Sequence, residues 1–141
     1  MLSVTITDLS GRTLSGQTLE AFYLSIKHSN PVSVGLNCAL GPKELESYVV
    51  ELSRISEFYV SVHSNAGLPN AFGEYDESAK SLASYAKNWG ENGYLNIIGG
   101  CCGTTPEHVQ AMKKITSNLK PRIPNIAKQR FELSGLEKFT F

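Results

Sequence analysis

No apolar run in the 141 residues approaches the ~20 that a membrane-spanning helix needs, which argues against a membrane partner. No basic-then-apolar leader opens the chain, so no secretion signal is read. Net charge is absent, because Lys plus Arg and Asp plus Glu number 13 each. Without a basic stripe a nucleic-acid partner is not expected. Cysteine is sparse: there are three, and no two stand in a C-x-x-C pair. That spacing weakens zinc-ribbon and thioredoxin-like readings. An odd cysteine count without a secretion signal points to a reducing compartment, and the expected location is cytoplasmic. What remains is an ordinary globular composition, 41% hydrophobic and 18% charged, long enough for one domain with its own core.

The pattern along the chain reads as strand then helix, four times. The first strand is expected at about 2–7, followed by a Ser/Gly/Thr-rich turn over 8–16 and a helix over 17–28. Leu19, Phe22, Tyr23 and Ile26 lie on one face of that helix. A second strand over 32–36 leads to a helix opening at Pro42, a favoured first helical residue, and running to Ile55 with Leu45, Tyr48, Val49 and Leu52 at helical spacing. A third strand over 58–62 ends at His63, and a long loop precedes a helix over 78–90. A fourth strand over 95–98 leads through Gly99-Gly100 to a helix opened by Thr105, Pro106 and Glu107 and ending near Leu119. Residues 1–119 are therefore expected as one unit and 120–141, with Pro121 and Pro124, as a tail, linker or docking arm toward a following domain. Repeated strand–helix units imply parallel strands with right-handed crossovers. Four such units are half of a (β/α)8 barrel, an α/β architecture of the TIM-barrel type. Met1 stands directly against the first strand, which suggests a chain entering in the middle of a larger fold.

The chemistry concentrates on Cys38, in G-L-N-C, and Cys101-Cys102, in I-I-G-G-C-C-G-T-T. All three sit just past an apolar strand-like run, where an α/β fold places its reactive residues. Three thiolates with one open position are the donor set of catalytic rather than structural zinc. Adjacent cysteines on an extended strand face opposite ways, so they share one ion only where the backbone curls. Gly99, Gly100 and Gly103 are the backbone-shaping residues expected to permit the curl. A three-thiolate zinc is a poor activator of water but holds a fourth thiol deprotonated, which makes thiol alkylation the natural reaction. The bland alternatives are buried small apolar cysteines and a vicinal disulfide. From the residues alone, metal and burial are evenly matched.

Other candidates are less specific. Asn37 reads as a strand-end cap or a donor orienting Cys38. Asn37, Asn65 and Glu74 are the expected substrate-facing residues, with Glu74 and Asp76 on a loop long enough to act as a pocket lid. His63 ends a strand and reads as a packed imidazole more than a fourth ligand. Asp8 and Arg12 are expected to line the mouth or pair with each other. His28 and His108 read as helix-end surface residues, and Tyr85 and Trp89 as packing residues.

Four stretches carry a resemblance: T-I-T-D-L-S-G-R-T-L-S-G-Q-T (5–18), G-L-N-C-A-L-G-P (35–42), N-A-G-L-P-N-A-F-G-E-Y-D (65–76) and N-I-I-G-G-C-C-G-T-T-P-E-H (96–108). With these the chain resembles the homocysteine-binding domain of cobalamin-dependent methionine synthases, over essentially its whole length but only as the C-terminal half of that domain. The cysteine motifs are shared with the wider zinc-dependent homocysteine methyltransferases, and the 65–76 loop with the methionine synthase branch. The resemblance implies a zinc held by Cys38, Cys101 and Cys102, with no histidine ligand. It implies homocysteine sulfur in the fourth position, taking a methyl group from methylcobalamin in methionine biosynthesis. Methylcobalamin and methyltetrahydrofolate would be bound by other modules, and the first four strands of the barrel would come from elsewhere. A missing N-terminal half-barrel, or a second copy pairing through open strand edges, is the expected partner. The competing expectation is an assembly module or an inactive fragment.

Overall fold

The computed structural model describes residues 1–7, 9–127 and 131–141. Asp8, expected at the mouth, lies outside the described residues. Four strands form one parallel sheet in chain order: β1 (Leu2–Val4), β2 (Ser33–Asn37), β3 (Tyr59–Ser64) and β4 (Ile97–Gly100). Four helices alternate with them: α1 (Leu19–Ile26), α2 (Pro42–Ile55), α3 (Ala79–Glu91) and α4 (Pro106–Thr116). This is half the complement of a (β/α)8 barrel, as the strand–helix alternation implied.

The local chemistry explains the elements. Thr18 caps α1 by accepting from the Ala21 amide, and Ser78 caps α3 by accepting from Ser81 at 3.2 Å. Pro42 occupies the first position of α2, where its missing N–H is no loss. Leu45, Val49 and Leu52 then recur at helical spacing and are fully buried against Val34, Leu36, Val60 and Val62 of the sheet. Burying each such side chain contributes roughly 1.5–3 kcal/mol. Trp89 on α3 closes the same core, and Tyr85 packs against it with ring centroids 6.0 Å apart. The alternate strand residues Gly35, Asn37, Ser61, His63 and Gly99 turn to the opposite face. Gly35 is required there, because a Cβ would collide with the hydroxyl and carbonyl of Ser61.

Several boundaries differ from expectation; α1 is shorter by two residues at each end and β3 runs two residues further. Regular pairing in β1 stops at Val4, after which the chain enters the turn. β4 begins two residues late and includes Gly99 and Gly100, which pair with His63 and Ser64. These glycines are poor strand formers alone, and the ladder of the neighbouring strand recruits them. α4 ends at Thr116, with Leu119 continuing the turn by donating its amide to the Thr116 carbonyl.

Residues past α4 lie back along the domain rather than away from it. Arg122 is 5% exposed and donates to the carbonyls of Ser53, Ser56 and Phe58 at 2.6–3.2 Å. Asn125 donates to Ser53, Arg54 and Ser56 at 2.9–3.0 Å. Together they satisfy the orphan carbonyls at the end of α2 and place a cation at its negative pole. A hairpin, β5 (Glu132–Ser134) and β6 (Lys138–Thr140), then packs against α1. Its Leu136 carbonyl accepts from the Thr18 amide at 2.9 Å, and Ser134 donates to Ala21 O at 2.5 Å. Arg12 pairs with Glu137 of this hairpin and donates to Gly16 O, so it ties the first turn to the tail.

Candidate metal centre

The last residues of β3 organise all three cysteines. Cys38 extends β2 and donates its amide to His63 O at 2.9 Å; Cys101 extends β4 and donates to Ser64 O at 2.8 Å. The Asn65 side chain accepts from the Cys102 amide at 3.1 Å, and Ala66 donates to Cys102 O at 2.9 Å. The Asn65 amide also bonds Leu40 O at 3.2 Å, so this 2%-exposed residue bridges both cysteine loops. Two strands flanking β3 thus lean their cysteines toward one point above it.

The backbone bends sharply to achieve this. Cys38 and Ala39 are both left-handed, at φ 57° and 55°, and Gly103 follows Cys102 at φ 76°. The first two conformations cost non-glycine residues of order 1 kcal/mol each. Gly103, without a Cβ, takes its positive φ at no steric cost. Gly99 and Gly100 do not have positive φ; they make room, since Cβ atoms there would collide with the His63 ring and the Thr104 side chain. Their contribution is close approach rather than curl.

The three sulfurs lie within 4.8 Å of one another, with Cys38–Cys102 at 3.5 Å and Cys101–Cys102 at 4.0 Å. Tetrahedral zinc–sulfur bonds of about 2.3 Å separate ligand sulfurs by about 3.8 Å, so the donor set fits zinc. A disulfide needs about 2.05 Å, and the thiols are free. Cys38 and Cys101 are half-buried and Cys102 is exposed. The thiols are not equivalent. The Ala39 N–H, bonded to the Cys38 sulfur, draws that thiol below its usual value against the effect of burial. Burial, reinforced by the neighbouring sulfurs, pushes Cys101 up to about 11. An added cation would pull all three toward the thiolate.

Of the expected substrate-facing residues, Asn65 is brought to the cysteines as a buried positioning group. Asn37 is not: its oxygen accepts from Ser3 at 2.6 Å and its amide donates to Thr5 at 3.1 Å, which ties β2 to β1. Glu74 stands exposed at the tip of its loop, where its amide donates to Asn70 Oδ1. Asp76 accepts from Asn70 at 3.0 Å. His63 is half-buried against Gly99, and burial lowers its pKa.

Two residues were not legible as site residues. Tyr75 packs on Gly103, the residue after Cys102, where a Cβ would overlap its ring. Burial first, then the charge and hydrogen bond of Cys102, raise its pKa. His108 is 9% exposed, not a surface residue. Its Nδ1 accepts from the Thr105 amide at 3.1 Å, which leaves Nε2 to donate to Glu77 O at 2.8 Å. Glu77 in turn donates to Ala66 O at 3.0 Å, so His108 anchors the loop that carries Tyr75. The signal was present as Thr-x-x-His, a capping box with histidine in the place of glutamate. A cavity of about 600 Å³ under the tail, lined by Tyr23, Lys27, Arg54 and Glu132, shares no residue with this site.

Residues 1–116 match the family model of homocysteine S-methyltransferase. The match spans most of the chain and contains all three cysteines, and it fixes the descent of the thiol cluster: this protein belongs to the homocysteine S-methyltransferase family.

Proposed function

We propose that this chain is the zinc-carrying half of a homocysteine S-methyltransferase barrel of the cobalamin-dependent methionine synthase type. The observation that carries the reading is the triangle of Cys38, Cys101 and Cys102 sulfurs at zinc-ligand spacing above β3. Bound zinc supplies the Lewis acidity that keeps a fourth, substrate thiol deprotonated at neutral pH. The chain's own residues do the rest. Asn65 and Ala66 fix Cys102, the left-handed turn at Cys38–Ala39 aims Cys38, and the loop over 66–77 lays Tyr75 against Gly103 beside the cluster. The methyl donor is methylcobalamin, recharged from methyltetrahydrofolate, both held on separate modules in the cytoplasm. In this reading residues 1–119 form the half-barrel and 120–141 lead toward the following module. The test is zinc per chain after purification under reducing conditions. About one zinc is expected, and Cys102→Ala should lose it; stoichiometric zinc in that variant contradicts the assignment.

A second reading concerns partners. Among the described residues β1 and β4 each pair with a single strand, leaving two parallel edges open. These edges suit a complementary four-stranded half-barrel or a second copy, with the chain acting as an assembly module. Sedimentation should show association when the complementary half is supplied; a cooperative monomer indifferent to it contradicts this reading.

A further inference from the structure

We propose that His108 is a positioning residue of the metal centre: its imidazole caps α4 and, through a chain of hydrogen bonds ending at the Cys102 carbonyl, sets the place of that cysteine. This role rests on the zinc reading above and falls to a residue that does not touch the ion. The three cysteines are not held alike. Cys38 and Cys101 donate their amides to His63 O and Ser64 O, so the backbone of β3 fixes both. Cys101 O also accepts from the Thr104 hydroxyl at 2.7 Å. Cys102 lies past the end of β4 and is held differently. Its amide goes to the Asn65 side chain at 3.1 Å, and its carbonyl takes the Ala66 amide at 2.9 Å. The Ala66 carbonyl in turn accepts from the Glu77 amide at 3.0 Å. His108 Nε2 ends the chain by donating to Glu77 O at 2.8 Å.

Each bond in such a chain polarises the next, so loss of the last donor is felt along it. His108 is buried, and water replaces a lost donor poorly there. A helix cap alone does not require histidine. Glutamate or glutamine is the usual third residue of a capping box. Either can accept the Thr105 amide that His108 Nδ1 accepts at 3.1 Å. Holding Glu77 as well takes a side chain that accepts at one atom and donates at another. Histidine with its proton on Nε2 is such a side chain, glutamine is a second, and ionised glutamate is not.

The test compares His108→Gln, which keeps acceptor and donor, with His108→Glu, which keeps only the acceptor. Zinc release from the folded full chain to a chromophoric chelator is timed. His108→Glu should release zinc about tenfold faster than wild type, the usual effect of losing a partner behind a metal ligand, and His108→Gln should stay within about twofold. In metal-free protein, amide exchange at Ala66 should quicken about tenfold in His108→Glu, while Ala111 and Met112 of α4 stay within about twofold. An unchanged release time in His108→Glu overturns the role. Equal impairment of both variants also overturns it, because packing rather than the donated proton would then be the cause. Faster exchange spread evenly over α4 does the same, since the cap alone would explain it. A chain that holds no zinc in any form defeats the metal reading instead, and exchange at Ala66 then decides the role of His108.

Discussion

The two ends of the sheet are built by opposite rules. At the end where the strands begin, Arg122 and Asn125 satisfy the carbonyls of Ser53, Arg54, Ser56 and Phe58. Arg122 is buried there. At the end where the strands finish, Cys38 and Ala39 hold left-handed backbone, Cys102 is exposed, and a long loop is held by a few hydrogen bonds. The first end stores stability and the second spends some of it to converge three sulfurs. The same division separates the two faces of (β/α)8 barrels generally.

The comparison can be broken most directly at the sealed end. Arg122→Ala removes the guanidinium's bonds to the carbonyls of Ser53, Ser56 and Phe58, which keep only Asn125 or the Ser56 hydroxyl as donors, and should cost about 2–3 kcal/mol in urea unfolding, with zinc per chain unchanged in the folded protein. A loss below about 1 kcal/mol would remove the contrast. At the other end His108→Ala should cost about 1–2 kcal/mol. Its signature is local: amide exchange should quicken at Ala66 and Glu77, and unchanged exchange there would mean that His108 does not anchor the loop. The strain of the rim is sharpened by Ala39→Gly, which relieves a left-handed residue and should stabilise by about 0.5–1 kcal/mol in the same unfolding assay. The smallest effect concerns the tail hairpin. Burial pushes Glu132 up, but Lys138 and Lys27 outweigh it and hold its pKa below the ordinary 4.5. Its contribution is therefore present above the unfolded value and lost as pH falls through the lower folded value. The near-ultraviolet signal of Phe131, Phe139 and Phe141 should weaken below pH 4.5 before the core responds.

Much of the functional end was legible because its chemistry is local. The order of four strand–helix units, the start of α2 at Pro42 and the placement of all three cysteines after strands follow from periodicity and turn residues. What was not legible depends on distant partners. Nothing near Arg122 in sequence indicates that it closes α2, some 69 positions away. Asn37 looked like a neighbour of Cys38, but lateral pairing with β1 claims its side chain. Within the 65–76 loop the acidic Glu74 drew attention, yet the side chain packed beside the cysteine pair, on Gly103, is Tyr75. Only the bridge to Pro69 and the bare backbone of Gly103 decide which loop residue faces inward.

The most direct measurement is zinc X-ray absorption on the reduced protein, with and without homocysteine. The account predicts three sulfur ligands and one lighter ligand at first, and four sulfurs at about 2.3 Å once homocysteine is added. Fewer than three sulfurs, or a sulfur count that homocysteine leaves unchanged, would contradict it.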